Sequence, residues 1–376
     1  MDMPCQVDIY DRDTIDQISW PSTAEGEMAK QFLLPLMKEG IEPFVRNVKT
    51  DLKALKVGDH ILPITINEAE YSNSYVCSPY AQYFNYACEE IKHLKSRLLK
   101  KILRKIYSPV GVFFKWGQID KTICVNNWLI STNLFPPLTE KEVQAITGHL
   151  KKNYPAHSIL FKSLNSFTNQ DLMGHLKKQS YRKVISRPVY LLDTRLETPF
   201  KANMFKKDLG LLKKQRYIHS KEYQPEDGQR LEHIYKCLYL DKYSSLNQDY
   251  TEKFFTLPCL NLRTIRQGNT ILGAYGLIQM HGISTLVWLG YDTSLPQDLG
   301  LYRSISTYAT LDAKDKGHIF HMSAGASSFK RLRRAEGHIE YYCIHIAHLP
   351  LRRKLPWLFI NSFTPLATYI LRKFQV

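Results

Sequence analysis

The chain has 376 residues, 44% of them hydrophobic, enough for two ordinary domains with real cores, which excludes a tail or a fibre. Fifty-one Lys and Arg against 35 Asp and Glu leave a formal charge of +16, so the partners it attracts are anionic: nucleic acid, an acidic carrier protein or an anionic membrane. Its seven cysteines (Cys5, Cys77, Cys88, Cys124, Cys237, Cys259, Cys343) are scattered and form no CxxC pair, which argues against a disulfide framework or a zinc site and for a reduced cytoplasm.

The first thirty residues hold Asp2, Asp8, Asp11, Asp13, Asp16, Glu25 and Glu27 and no apolar core of signal-peptide length, so the N-terminus is expected to be retained. Residues 1–56 are expected to form an N-terminal extension packing on the core. The segment "IKHLKSRLLKKILRKIY" places seven Lys and Arg between Lys92 and Lys105, with Leu94, Leu98, Leu99, Ile102 and Ile106 as an apolar stripe.

From Thr122 the pattern predicts a strand of apolar and β-branched residues ending near Asn133, then a Pro-containing loop and an amphipathic helix with Val143, Ile146 and Leu150 on one face. The strand "HSILFKSL", a short helix about Asp171 to Gln179 and the strand "YRKVISRPVYLLD" follow. Next come a helix from Phe205 to Gln215, a strand "YIHSKEYQ", and a helix from Gly228 to Lys242 that Asp227 is placed to cap. A run of antiparallel strands then turns at Gly268-Asn269 and at His281-Gly282.

The last strand of that run ends at Asp292 and opens a second copy of the earlier order. A helix beginning near Asp298 carries Leu301, Ile305 and Tyr308, and is followed by the strand "HIFHMS", a short helix from Ser328 to Glu336 and the strand "HIEYYCIHI". A helix joining neighbouring strands is the βαβ signature, and the repeated order reads as a duplication. Beyond it, the run Leu355 to Leu371 lies between Arg352-Arg353-Lys354 and Arg372-Lys373, with Asn361, Ser362, Pro365 and Thr368 interrupting it. It is too short for a span of about 20 apolar residues. Two readings stand: an interfacial anchor, or an amphipathic helix packed on the fold.

Five stretches carry a family resemblance: "LYLDKYSSLN" (Leu238 to Asn247), the hairpin into "WLGYD", the helix "GLYRSISTYATLDAKDKG", the run "SAGASSFKRLRRAEG" with Phe329-Lys330, and the Tyr341-Tyr342 strand. Over roughly Ile61 to His348 the order of elements resembles the GNAT superfamily of acyltransferases, in its Fem-like branch with tandem domains. The resemblance implies an α+β fold of two tandem GNAT-like domains, each a mixed, largely antiparallel sheet flanked by helices. Residues 57–195 would be a degenerate copy shaping the acceptor cleft, 205–348 the catalytic domain, and 349–376 a basic amphipathic segment.

The resemblance also implies a slot for an acyl thioester where the strand before the long helix splays from its neighbour, with the helix N-terminus facing the donor. The basic, glycine-rich diphosphate loop of that family is absent here: "DTSLPQDLGLYR" offers Gly300 and Arg303 but sets Asp292 and Asp298 where a diphosphate would sit. In Fem-like enzymes a Phe-Lys pair lies beside the transfer centre, so Lys330 is expected to stabilise a developing oxyanion, unless it belongs with Arg331, Arg333 and Arg334 to a solvated basic face. Asp292, His321 and Tyr302 are the candidates for proton transfer from an amine, against a capping role for Asp292 and a core role for His321. Ser323, Gly325 and Phe329, with Tyr302 and Arg303, would line the substrate, and the small residues would let it approach closely. Tyr239, Lys242 and Tyr243 would contact the acceptor or simply pack; Asn126, Asn127 and Trp128 belong to a second pocket or a hydrogen-bonded domain interface.

The expected activity is transfer of an acyl group from an activated thioester, acyl-CoA or acyl carrier protein, to an amine on a small molecule or peptide. The alternatives are an aminoacyl-tRNA-dependent transferase and an inactive double-domain binding module. No permanently bound cofactor and no metal site are expected: HExxH, Walker and dinucleotide motifs and G-x-S-x-G are all missing. The expected location is the cytoplasm, peripherally at the inner face of the membrane if the basic segments bind it.

Overall fold

The computed structural model describes residues 5–93, 96–221, 224 and 226–373. The chain divides into two compact units. Unit 1 runs to Ser186 and includes Ser244–Asp249 and Tyr341–Tyr369; unit 2 holds Arg187–Tyr243, Tyr250–Glu340 and the residues from Ile370 on.

Unit 1 starts with β1 (Val7–Tyr10), α1 (Ala24–Glu39), β2 (Asp51–Val57) and β3 (His60–Glu68). The Thr23 hydroxyl accepts from the Gly26 N–H and so caps α1. There follow α2 (Tyr86–His93), α3 (Arg97–Trp116), β4 (Lys121–Val125), α4 (Glu140–Asn153), β5 (Ser158–Leu164), α5 (Gln170–Lys178) and β6 (Arg182–Asp193), whose residues 187–193 belong to unit 2. A capping box starts α4: the Glu142 N–H donates to Thr139 Oγ1 while the Thr139 N–H donates to the Glu142 carboxylate, satisfying donors the helix leaves free.

Unit 2 continues with α6 (Thr198–Lys201), α7 (Asn203–Gln215), β7 (Ile218–Ser220), α8 (Asp227–Lys236), α9 (Glu252–Phe255), β8 (Asn261–Gln267), β9 (Thr270–Met280), β10 (Ile283–Tyr291), α10 (Leu301–Asp315), β11 (Ile319–His321) and α11 (Ser327–Arg331). β12 (Glu336–His345) and α12 (Leu351–Lys373) complete the chain. His281 and Gly282 both have positive φ, 50° and 72°, the geometry a two-residue hairpin needs to match strand twist, and Met280 faces Ile283 across it.

The strands of unit 1 lie in the order β1-β2-β3-β4-β5-β12 and those of unit 2 in the order β6-β11-β10-β9-β8-β7. All the described pairs within each unit are antiparallel except β4 with β5 and β10 with β11. Each unit is therefore α+β, a mixed and largely antiparallel sheet with helices against it. The duplicated order is present: β4-α4-β5-α5 matches β10-α10-β11-α11 in sequence and in strand sense, and β3 flanks β4 as β9 flanks β10, although α2 and α3 separate β3 from β4 along the chain. The strands that close the two repeats are exchanged. β6 pairs with β11 of unit 2, whereas β12 pairs, from Tyr341, with β5 of unit 1.

In unit 1, Val143, Ile146 and Leu150 of α4 pack on Ile64, Ile123, Val125, Ile159 and Phe161 of the sheet. In unit 2, Leu301, Ile305, Ala309 and Ala313 of α10 do the same on Leu272, Tyr275, Leu289 and Phe320. Burying such stripes contributes about 1.5–3 kcal/mol for each large side chain.

Several elements differ from the sequence reading. The strand expected to reach Asn133 stops at Val125, because Asn126 and Leu129 take left-handed backbone at φ 58° and 55°. The helix expected to run to Lys242 ends at Lys236 and continues as a π-helical turn, Cys237–Tyr243. Asp227 does not cap that helix by its side chain; its carboxylate accepts from the Gln224 N–H and pairs with Arg266 at 2.5 Å. The short helix expected to reach Glu336 ends at Arg331, and Arg334 turns left-handed at φ 68°. Leu94, and the side chains of Lys92 and Leu99, lie outside the described residues. Among the described residues no helix is long and apolar enough to cross a membrane.

Candidate functional site

The place in unit 2 where the sheet opens is set by strand length. β11 pairs with β10 over only three positions, the last being Thr285 with His321, and then turns away through Met322. β10 runs on to Tyr291 against β9 alone, with a bulge between Leu286 and Trp288. The Asp292 N–H donates to the Leu272 carbonyl, so by the alternation of an antiparallel ladder the Leu289 N–H points to the open edge. There it donates to the hydroxyl oxygen of Tyr239 at 3.1 Å. Tyr239 sits in the π-helical turn, stacked on Tyr235 with ring centroids 4.6 Å apart; Tyr243 and Lys242 beyond it are exposed.

Among the described residues three buried polar atoms of these elements have no hydrogen-bond partner: Thr285 Oγ1, where β10 and β11 part, Trp288 Nε1, over Gly276 of β9, and Ser304 Oγ in the first turn of α10. Leaving a buried donor or acceptor unpaired costs about 1–3 kcal/mol, and native structures carry few of them. Gly300, left-handed at φ 62°, starts α10. A Cβ there would come within 2.7 Å of a terminal methyl of Leu211, which can move aside, so it is the left-handed conformation that favours glycine.

The stretch after β11 is a strained loop: Ser323, Gly325 and Ala326 have φ of 58°, 74° and 47°. Its carbonyls turn inward onto Lys330. The Lys330 ammonium donates to Met322 O at 2.7 Å, Ser323 O at 3.1 Å and Ala324 O at 2.7 Å, and lies 5.5 Å from the Tyr190 ring. Burial first, then the Arg187 guanidinium, push its pKa down to about 7. Lys330 is thus a buried clamp on this loop and not part of a solvated face; all three of its donors are engaged.

His321 is hydrogen-bonded through one ring nitrogen, and the other approaches a carboxylate without hydrogen-bond geometry. Its Nδ1 accepts from the Ser323 N–H at 3.1 Å, which places the proton on Nε2, 3.3 Å from the Glu340 carboxylate. Glu340 is buried, which works to raise its pKa, but Arg187 at 2.8 Å and His321 outweigh burial and hold it low. Asp292 accepts from the Ser294 N–H and hydroxyl and pairs with Arg230 at 2.5 Å. Partial burial opposes ionisation, but Ser294 and Arg230 hold the carboxyl at about 2. Such a group is a poor proton acceptor at neutral pH.

Arg303 is drawn inward by a residue the sequence reading passed over. Asp208 of α7 is buried and accepts from Arg303 (2.9 and 2.7 Å) and from Arg333 (2.6 and 2.9 Å). The Arg333 guanidinium lies 3.5 Å over the Phe329 ring, which meets Tyr302 edge-on at 4.8 Å. Burial raises the Tyr302 phenol to about 12. Arg303, Phe329 and Tyr302 therefore join one Arg-Asp-Arg network. Its one sequence signal is that Asp208 is the single acid of α7, three residues after Phe205 on the same face.

In unit 1 the polar residues after β4 close on themselves. Asn126 donates to Leu134 O at 2.7 Å and accepts from Trp128 Nε1 at 2.7 Å; Asn127 donates to Thr65 Oγ1 at 2.8 Å and Val76 O at 3.0 Å. All three side chains are buried. Lys162, on the neighbouring β5, is buried too and donates to Val76 O at 2.5 Å.

No protein-family model matches the chain, and no curated protein matches it. Neighbours of known structure include GNAT-fold proteins. Over 60% of its length the chain is similar to L-PGS from Bacillus licheniformis, at 12% identity and TM-score 0.45, covering 78% of that protein. It is similar over 59% of its length to FemX, at 8% identity and TM-score 0.45, covering 80% of FemX. Over 90% of its length it is similar to a tandem GNAT protein from the clavulanic acid biosynthesis pathway, at 5% identity and TM-score 0.39, covering 98% of that chain.

Proposed function

We propose that the chain is an acyltransferase that moves an acyl group from an activated thioester to an amine, with unit 2 as the catalytic unit and unit 1 as a degenerate copy. One observation carries this reading: β10 parts from β11 after Thr285 and presents the Leu289 N–H, met by the Tyr239 hydroxyl, on an edge that no described strand covers. An extended acyl donor can lie along such an edge and accept from that N–H as a further strand would. Tyr239, Tyr302 and Phe329 would border it, with Lys242 and Tyr243 toward the acceptor. Lys330 and His321 would act by fixing the Ser323–Ala326 loop. In unit 1 the amides of Asn126 and Asn127 and the Trp128 indole are satisfied internally, which fits a copy without a substrate pocket.

A second reading, with aminoacyl-tRNA as donor, is favoured by the approach to α10. Asp292 and Asp298 flank it without a basic glycine-rich loop, and Arg303 is held by Asp208. A free diphosphate of CoA has little to grip there, whereas a donor bound through a larger body does not need that grip. The deciding experiment offers purified protein a mixture of amines with acyl-CoA, acyl carrier protein or aminoacyl-tRNA, and follows acylated amine by mass spectrometry. Product with one donor class is the expected result; no product with any of the three would leave a binding module.

Tyr239→Phe tests the edge itself. If the phenol oxygen occupies the position that the donor carbonyl takes, its removal should lower the donor KM about 2- to 10-fold, since one such hydrogen bond contributes about 0.5–1.5 kcal/mol. A raised KM would make the hydroxyl a direct substrate contact instead.

A further inference from the structure

The two basic amphipathic segments come together in unit 1 as a single surface. α3 and α12 meet through rings, with Phe113 to Phe359 at 5.8 Å and Phe114 to Phe359 at 6.2 Å, and the Arg352 guanidinium donates to Trp116 O at 2.6 Å. The inner face of α12 is packed, with Trp357 and Ile360 in a core cluster and Arg353 donating to Ala156 O and Lys121 O. Its outer face is bare. Phe363 is 51% and Leu366 58% exposed; on α3, Leu98 is 69% and Ile106 65% exposed, with Ile102, Val112 and Trp116 exposed between and beyond them.

At 100° per residue, Leu98, Ile102, Ile106, Val112 and Trp116 fall within an arc of about 120° on α3. Phe113 of the same arc continues the stripe through Phe359 to Phe363, whose ring centroids are 4.9 Å apart. The stripe is therefore continuous across the two helices. Neither helix contains an Asp or a Glu, whereas α3 holds Arg97, Lys100, Lys101, Arg104, Lys105 and Lys115. Of these, Arg97, Lys101, Lys105 and Lys115 are exposed.

We infer that this face docks on an anionic lipid bilayer, with the aliphatic and Phe side chains entering the acyl boundary and the lysines and arginines lying at the headgroups. Two features select lipid over other anions. The exposed Leu, Ile, Val and Phe need an apolar phase, which a nucleic acid does not offer, and Trp116 and Tyr369 are amphipathic aromatics of the kind that sit at the headgroup level. The absence of any acid on either helix means nothing on them repels a negative surface. The inference stands independently of the transfer reaction, because no residue of the β10 edge takes part.

The test is sedimentation of the full chain with vesicles of phosphatidylcholine containing phosphatidylglycerol, against vesicles of phosphatidylcholine alone. Partitioning should be at least about tenfold stronger on the anionic vesicles, each basic residue near the surface contributing about 1 kcal/mol, and salt should weaken it without abolishing it. Combining Leu98→Ser, Ile106→Ser, Phe363→Ser and Leu366→Ser should remove most of the binding. Should that variant fail to fold, Lys101→Glu with Lys105→Glu must by itself reduce the preference for anionic vesicles. No binding of the full chain at low salt overturns the inference. So does undiminished binding in a folded variant, or a face that binds tRNA but neither kind of vesicle.

Discussion

Lys330→Met is expected to lower transfer turnover about 10²-fold, the size of loss that a misplacement of about 1 Å beside a reacting centre can cause. The structure gives a specific route to that loss. Without the ammonium, the carbonyls of Met322, Ser323 and Ala324 face a buried apolar chain, and the left-handed loop beside the β10 edge loses what holds it. Thermal unfolding should move down together with turnover. A full loss of turnover at wild-type stability would instead mark direct action on the substrate, and wild-type turnover would restrict Lys330 to the fold. The pH dependence gives a second readout. The folded-state amine titrates near 7, below its unfolded value, so the native state binds fewer protons between about 7 and 10. Wild-type stability should gain from this group as pH rises through that window, and Lys330→Met should not show that gain.

Asp208→Asn is expected to be the most destabilising single change, by about 3–5 kcal/mol, because it leaves Arg303 and the buried Arg333 without their shared carboxylate. For a unit of this size that is a fall in melting temperature on the order of 10 °C. Removing one of the arginines alone, by Arg303→Met, should cost less, since Arg333 still neutralises Asp208 at 2.6 Å. Urea unfolding of the three proteins gives the comparison; an Asp208→Asn variant within about 0.5 kcal/mol of wild type would show the network to be dispensable.

How much was readable from the sequence differs by scale. The alternation of β9 and β10, the turns at Gly268 and His281-Gly282, and the helix faces of α4 and α10 follow from local chemistry. Nothing beyond the periodicity of apolar residues and the residues that tolerate positive φ is needed for them. Those signals gave the element order and its repetition, and with them the α+β architecture; the opening of a strand edge before α10 was implied only by the family resemblance.

The partners of the candidate residues were decided by folding. Lys330 and His321 read alike as catalytic or structural because a sequence does not say where carbonyls will point, and it is the left-handed Ser323, Gly325 and Ala326 that turn three of them onto one ammonium. Arg303 reads as a substrate ligand until Asp208, 95 residues away in the chain, claims it. Asn126, Asn127 and Trp128 read as a polar pocket until the Trp128 indole donates to Asn126 and the two amides donate to Leu134 O, Thr65 Oγ1 and Val76 O. The exchange of β6 and β12 leaves no local trace, since either closing strand satisfies the same pattern of alternation. Local sequence determined which backbone each segment adopts. Which buried charge and which unpaired carbonyl meet depends on long-range packing, because a desolvated polar group takes whatever partner the fold brings within hydrogen-bond reach.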